Sequence, residues 1–249
     1  DSLGFSANRL PMRLLAQRLS VKLLSKLSTA EAEAILFGTA GFLAPDLHEI
    51  APADSREYLE SLWTDWWKHR DQFEFPDDRS PRWQASGSRP GNHPQRRLAS
   101  LTQALDSWKK ISKLAKSSAP WKGLTEHLES LEHDFWTRHH TLKSERTSAA
   151  IRLLGKSRIT EFYINTLYPI AIEENEAAWT SYQKIRGNSL NQKLKRCAER
   201  LFGSKEIAKP YLKFSWQQQA LLQIYQDFCL EDHSDCENCP FPKQLAQWS

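Results

Sequence analysis

The chain has 249 residues, a formal net charge of +4 and a mean hydropathy of -0.62. This length suits one large domain or two small ones, and an aromatic content of 11% can supply a sizeable core. No stretch approaches the roughly 20 uncharged apolar residues that a bilayer-spanning helix needs, and no signal peptide opens the chain. The composition therefore excludes a membrane protein and predicts a soluble, cytoplasmic one.

The chain opens on Asp1 rather than on an initiator methionine, and its first residues already resemble the interior of a domain. We therefore expect it to be the C-terminal part of a longer protein. Its first partner would then be an N-terminal domain absent from this chain.

Charge is unevenly distributed along the sequence. Residues 44–78 carry ten acidic and three basic side chains, whereas residues 79–122 carry ten basic side chains and one acidic. Residues 184–213 have nine basic and two acidic side chains. The basic segments predict either a phosphate-binding face or pairing with the acidic segment inside the fold, and we favour pairing.

In chain order, the first elements have helical periodicity. Leucines at helical spacing follow Pro11, which suits a first helical turn, and continue to Leu27. Ser28 and Glu31 have the spacing of a capping box, which predicts the start of a short second helix that stops at Gly38.

The next helix has the same kind of start signal. Asp54 and Glu57 form a second capping pair, followed by an amphipathic, tryptophan-rich face that ends near Phe73. Prolines, glycine and serines between Phe75 and Pro94 exclude a helix there and predict an ordered loop.

The remainder of the chain is also predicted to be helical. A long helix covers Leu98 to Leu114, and Ser215 with Gln218 caps the last helix. Further helices are predicted at 124–138, 158–167, 173–185, 192–202 and 217–229.

The fold class is therefore all-α, and we predict a multi-helix orthogonal bundle with a long proline-rich loop and a cysteine-rich C-terminal knuckle. No alternating pattern typical of a strand exceeds four residues. The segments are N-terminal helices at 1–74, the loop at 75–94, a helical core at 95–228 continuous with the first segment, and the knuckle at 229–249. Together they are predicted to form one domain.

The cysteines point to a metal. Cys229, Cys236 and Cys239 crowd into the C-terminus, and in a reducing compartment such a knuckle presents thiolates to one ion. The fourth ligand would be His233, Cys197 or a residue outside this chain. Histidine would suit a structural zinc, whereas Cys197 would admit zinc or an iron–sulfur cluster. We favour zinc, and metal-free thiols or a disulfide are the alternative.

The spacing of these cysteines resembles the first three ligands in the cluster loop of iron–sulfur DNA glycosylases. In that loop a fourth cysteine follows six positions after the third, where this sequence has Leu245. The sequence lacks a helix-hairpin-helix motif, so the resemblance is confined to the spacing.

A stiff polar segment leads into the predicted helix at 98–114. It contains Arg89, Asn92 and Arg97, two prolines, and a glycine that permits close backbone approach. Helix N-termini favour anions, and the forked donors of arginine suit phosphate or carboxylate. The alternative is that these arginines clamp buried carbonyls and hold the long loop in place.

A second basic loop, Gly-Lys-Ser-Arg at residues 155–158, ends in Arg158 at another predicted helix start. It lacks the first glycine and the spacing of a Walker phosphate loop. With Arg89, Asn92 and Arg97, it completes the candidate anion- or phosphate-binding set.

Four histidines, at positions 127, 133, 139 and 140, lie among acidic residues. They do not form a His-Glu-x-x-His pattern, and we interpret them as part of a solvated helix face. Without a recognisable nucleophile or acid–base pair, we expect this chain alone not to be catalytic.

Several separated strings occur in order along the chain. They are LFGTAGFL at 36–43, RPGNHPQRRLA at 89–99, LGKSR at 154–158 with Asn165 and Pro169, and the C-terminal cysteine cluster. Together they resemble the bacterial family catalogued as domain of unknown function 2851, over about Asn8 to Leu245. The resemblance implies a longer protein whose N-terminal, β-rich region is similar to metal-dependent nuclease cores, so this chain would lack the catalytic half.

These observations predict an accessory helical domain of a nucleic-acid-processing, nuclease-like protein. Its arginines would contact phosphates, and its cysteines would hold a structural metal. The alternative is a helical scaffold or protein-interaction domain that does not bind nucleic acid. The first hypothesis predicts exposed arginines on one basic face, whereas the second predicts arginines hydrogen-bonded inside the fold.

Overall fold

The computed structural model describes residues 5–76, 79–85, 90–116, 120–174, 176–231 and 236–247. Within these ranges the regular elements are helices, and the described residues contain no β-strand, only an isolated antiparallel bridge between Arg186 and Phe214. The all-α prediction is confirmed. No helix in the described part of the chain has both the length and the apolar character that crossing a bilayer requires.

The helices follow one another closely in sequence. The first group is α1 (Phe5–Arg18), α2 (Val21–Leu24), α3 (Thr29–Thr39), α4 (Leu47–Ile50), α5 (Ala53–Phe73), α6 (Pro94–Asp106), α7 (Trp108–Ala115), α8 (Pro120–Glu129) and α9 (Lys156–Phe162). The second group is α10 (Tyr168–Glu174), α11 (Glu176–Gln183), α12 (Gln192–Phe202), α13 (Lys205–Ala208), α14 (Ser215–Ile224) and α15 (Phe241–Leu245). Pro90–Asn92 and Lys209–Leu212 form 3-10 turns, and Tyr163–Leu167 and Tyr225–Glu231 form π-helical turns.

The chain divides into two compact units, Asp1–Thr166 (unit 1) and Leu167–Ser249 (unit 2). The division falls inside the π-helical turn that follows α9. The segments predicted from the sequence have no boundary there, because the helix predicted at 158–167 includes this turn. The prediction of one domain with segments at 1–74, 75–94, 95–228 and 229–249 stays a prediction.

The capping signals differ in outcome. At the start of α3, the Ser28 hydroxyl accepts from the Glu31 N–H at 3.2 Å, and the Glu31 carboxylate accepts from the Ser28 N–H at 3.1 Å. This capping box is confirmed. The box predicted for α5 is wrong, because that helix begins after Pro52 without a side-chain cap and Asp54 is bonded elsewhere in unit 1.

A break in the backbone of α1 explains how this helix accommodates a proline. The backbone at Asn8 is not helical, with φ −112° and ψ 18°, so the helix restarts after it. Pro11 then lies in the first turn of the restarted helix, where its missing N–H costs little. The helix ends at Arg18 rather than continuing to Leu27, and Ser20 caps the short α2.

Two long predicted helices are interrupted in the structure. The helix predicted at 98–114 is broken at Ser107, where φ is −96° and ψ is 17°, and forms α6 and α7. The helix predicted at 124–138 ends at Glu129. Residues 130–155, which we call the clamped segment, contain turns but no helix. Segment 130–155 is nevertheless well packed, since Trp136, Leu142 and Leu153 are almost fully buried.

The core of unit 1 lies where α3 packs on α5. Ile35 and Phe37 are fully buried, and the Phe37 ring centroid lies 5.6 Å from that of Trp136. Gly38 permits the close approach of α5, because a Cβ atom there would lie 2.1 Å from the Trp66 ring. The string at 36–43 is therefore explained by packing.

The core of unit 2 is smaller. Leu194 and Cys197 of α12 pack with Leu221 of α14. The predicted bounds of α12 agree with the structure, because Asn191 caps its start and Gly203, at φ 73°, ends it.

Candidate functional site

The first turn of α6 contains a fully buried arginine. Arg96 has 0% of its surface exposed. Its Nη1 donates to the carbonyls of Trp136, at 2.5 Å, and His139. Its Nη2 donates to the carbonyls of Ile151, at 3.3 Å, and Arg152, at 2.9 Å. A single guanidinium therefore holds both ends of the clamped segment against α6.

The adjacent arginine lies in a different environment. Arg97 is 4% exposed, and its Nη2 donates to the Asn92 side-chain oxygen. Burial lowers the pKa of Arg97 to about 10, and the positive charges of Arg158 and Arg96 add to this shift, whereas Glu161 opposes it. The two neighbouring arginines of the motif are thus both internal, but only Arg96 is a carbonyl clamp.

Arg158 joins this cluster from the first turn of α9. It is 9% exposed, and its Nη1 donates to the Glu161 carboxylate at 2.5 Å. The structure thus brings together Asn92, Arg97 and Arg158 from the predicted anion-binding set. Arg89 lies outside the described residues.

His93 caps α6 as a neutral ring. Its Nδ1 accepts from the Gln95 N–H at 3.3 Å. Burial lowers the pKa of His93 from its ordinary value of 6.5 to about 4. As the pH falls from 6.5 to about 4, the unfolded chain binds a proton at His93 before the folded chain does. The contribution of His93 to the stability of the fold is therefore complete above pH 6.5 and is lost progressively down to about pH 4.

We expect His93→Asn to reduce the loss of stability between pH 6.5 and about pH 4. Asparagine can still cap the helix but does not titrate. Urea unfolding midpoints at both ends of this window measure the effect. Replacing the half-exposed His48 by asparagine is the control, and an equal change in both variants would contradict the assignment.

The prediction of a solvated helix face is wrong for the histidines of the clamped segment. His139 is 4% exposed and lies with Asp54 and Tyr58 in an open cleft of about 420 Å³. Its Nδ1 faces the Phe135 carbonyl at 2.9 Å, and its Nε2 faces the Asp54 carboxylate at 3.1 Å. Both ring nitrogens are therefore engaged.

The second histidine of the cleft pairs with a buried carboxylate. His133 Nε2 lies 3.0 Å from Glu33, while its Nδ1 accepts from the Phe135 N–H at 3.1 Å. Burial raises the pKa of Tyr58 well above its ordinary value, and Glu33 adds to the rise. The Phe135 ring stacks between Tyr58 and His139, at centroid distances of 4.2 Å and 4.0 Å. Sequence reasoning missed this network because its acidic partners lie about 85 to 100 residues upstream of the histidines.

The cysteines are only partly brought together. Cys197 is fully buried, and its thiol donates to the Leu221 carbonyl at 3.0 Å. Burial raises its pKa to about 11, and the nearby Cys229 adds to this rise. Cys197 is thus accounted for as a core residue of unit 2.

Cys236 and Cys239 both act electrostatically on the thiol of Cys229. Burial raises the pKa of Cys229, Arg200 opposes this rise, and Cys239 and Cys236 add to it. His233 lies outside the described residues. In the ranges that are described, no three His, Cys, Asp or Glu side chains are placed to hold a metal ion. The structural zinc and the iron–sulfur alternative stay predictions.

Fold and site together define an all-α protein whose first unit is built around buried arginines of a polar, glycine-containing motif. The chain belongs to the family described as "Protein of unknown function (DUF2851)", whose model matches residues 1–197. This match confirms the resemblance seen in the sequence, although the matched range ends before Cys229. No curated protein and no solved structure matches the chain.

Proposed function

We propose that the chain is the helical accessory domain of a nucleic-acid-processing protein and that unit 2 contacts the phosphate backbone. The observation that carries this proposal is the outer face of α12. Lys193, Arg196 and Arg200 are exposed and recur at positions i, i+3 and i+7, which places them in one stripe along the helix. Such a stripe supplies the sequence-independent part of nucleic-acid affinity.

The surroundings of this stripe support the same role. Four more exposed lysines, at positions 195, 205, 209 and 213, occur in the same part of unit 2, and we call these lysines and the stripe together the basic surface. Tyr211 is 50% exposed and stacks on Phe202, with ring centroids 4.9 Å apart. An exposed aromatic ring among cations is suited to stacking with an unpaired base.

The arginine motif of unit 1 has no part in this proposal. Phosphate binding by this motif predicts that Arg97 and Arg158 lie on an exposed basic face, but both are buried. A polymeric phosphate backbone cannot follow a surface path to guanidinium groups at this depth. We therefore propose that unit 2, and not unit 1, contacts the phosphate backbone.

We expect the triple variant Lys193→Gln, Arg196→Gln, Arg200→Gln to bind a fluorescently labelled DNA more weakly by on the order of tenfold at low salt. Each lost phosphate contact should also make the dependence of log affinity on log salt shallower by about 0.7 to 0.9. Fluorescence anisotropy with single-stranded and duplex DNA over a salt series measures both quantities.

A matched control removes the same charge from α7 of unit 1. Lys109, Lys110 and Lys113 are exposed there, and their replacement by glutamine should leave the affinity within about twofold of the wild type. An equal loss in both triple variants would show attraction to net charge alone and would overturn the proposal.

The scaffold hypothesis is favoured by one observation, the burial of Arg96, Arg97 and Arg158. It requires that the wild-type chain show no salt-dependent DNA binding. The same titration therefore decides between the two functions.

A further inference from the structure

Unit 2 holds an aromatic ring at its surface in a fixed orientation. Tyr211 is 50% exposed, and its ring stacks on Phe202, with the two ring planes 7° from parallel. Phe202 and the neighbouring Leu212 in turn pack against the core of unit 2. No other aromatic ring among the described residues contacts Tyr211. The ring is therefore oriented by the core while half of its surface faces solvent, so a flat ligand can stack on it at a low cost in conformational entropy.

Cations accompany this ring on two elements. Lys209 and Lys213 are exposed and lie two positions before and after Tyr211. Lys195 is also exposed and lies seven positions before Phe202, which places both residues on the same side of α12. The ring thus lies among groups that attract phosphates, and it offers an apolar surface to whatever the phosphates carry.

The ring and the cationic stripe lie along opposite edges of the exposed face of α12. At about 100° per residue, Phe202 is about 150° around the helix from the centre of the stripe. Glu199 lies on the face between them, and Lys205 compensates its charge at 3.5 Å. The path from the stripe to Tyr211 is therefore about the width of a helix, on the order of 10 Å.

This separation distinguishes an unpaired strand from a duplex. A backbone that follows the stripe brings a base to Tyr211 only if the bases turn outward across the helix. A few nucleotides of unpaired strand can do this, because their bases are free to leave the stack and rest on an aromatic side chain. In a duplex the base faces are covered by neighbouring base pairs, so the ring has nothing to stack on.

We propose that the basic surface binds single-stranded nucleic acid and that Tyr211 stacks on one of its bases. This inference rests on the function proposed above and names the class of nucleic acid that the same surface selects. The cations supply an attraction that single strands and duplexes share, whereas the ring supplies the preference for the single strand. Stacking tolerates every base, so we expect little dependence on sequence.

Fluorescence anisotropy of the full chain with three labelled DNAs tests the proposal. They are a single strand, the same sequence as a duplex, and the same strand made of abasic nucleotides, which keeps its phosphates but has no bases. At a salt concentration that weakens the phosphate contacts, we expect the single strand to bind more tightly than the duplex. It should also bind on the order of tenfold more tightly than the abasic strand.

Tyr211→Leu separates the ring from the charges. We expect this variant to bind the single strand more weakly by on the order of tenfold and to bind the abasic strand like the wild type. The dependence of log affinity on log salt should not change, because the ring carries no charge. Tyr211→Phe is the matched control, since it keeps the ring and should retain wild-type affinity for all three DNAs.

The outcomes separate this inference from the function on which it rests. Equal, salt-dependent affinity for all three DNAs would overturn the role of Tyr211 and leave phosphate contact by unit 2 standing. Absence of salt-dependent binding to any of them would overturn both. If Tyr211→Leu does not fold, the wild-type comparison of the single strand with the abasic strand still decides. A single-stranded RNA measured in parallel identifies the source, and tighter binding of either single strand than of its duplex supports the proposal.

Discussion

Arg96→Met is expected to lower the free energy of unfolding of unit 1 by about 3 to 5 kcal/mol. The substitution keeps much of the buried side-chain volume but removes the donor for four carbonyls of the clamped segment. Each buried carbonyl left without a donor costs about 1 to 3 kcal/mol, less where water can replace the lost bond. Arg96→Lys should recover only a small part of the loss, because an ammonium group cannot reproduce a planar fork.

Urea unfolding followed by circular dichroism measures this effect. Arg152→Met is the control, since it changes the same residue type at an exposed position and should shift stability by less than about 0.5 kcal/mol. An Arg96→Met chain as stable as this control would show that the carbonyl contacts do not hold the fold.

Gly38→Ala is expected to destabilise unit 1 by about 2 kcal/mol. The new Cβ atom would lie 2.1 Å from Cδ2 and 2.4 Å from Cε2 of Trp66, which are atoms of a rigid indole ring. Trp66 is only 4% exposed, so the ring can yield only by displacing α3 from α5. Alanine favours a helix over glycine by about 1 kcal/mol, and the expected loss is the balance after that gain.

The matched substitution is Gly91→Ala. No atom of the described residues lies within 4 Å of the Cβ position there, so the unfolding midpoint should remain at the wild-type value or rise slightly. Thermal and urea unfolding of the two variants side by side give the comparison. Equal stability of both would show that the contact between Gly38 and Trp66 relaxes at no cost.

The sequence predicts the elements whose signals are local. Asn191 and Gly203 bound α12, and the Ser28 box starts α3, because each contact joins residues three or four positions apart. The prediction fails where tertiary contacts compete with local ones. Asp54 has the spacing of a capping residue, but its carboxylate pairs with His139 across 85 positions.

The arginine motif shows the same limit of sequence-based prediction at two neighbouring positions. Arg96 and Arg97 are adjacent and identical in chemistry, and no sequence pattern indicates that one clamps backbone carbonyls while the other donates to the Asn92 side chain. On a helix, consecutive residues point about 100° apart, so their environments are set by different neighbours. Cys197 likewise has the chemistry of a ligand, and the sequence alone does not indicate that it packs in the core of unit 2.

The clamped segment also has a consequence for proteolysis. A long stretch without a helix is ordinarily where a protease enters a folded chain. Lys143 and Arg146 are exposed and offer trypsin its preferred residues, but cleavage requires the surrounding backbone to leave its place. Leaving it means withdrawing carbonyls from Arg96 and breaking the stack of Phe135 on Tyr58. We therefore expect segment 130–155 to resist trypsin for as long as Arg96 holds its carbonyls, so that its cleavage reports the opening of the arginine clamp.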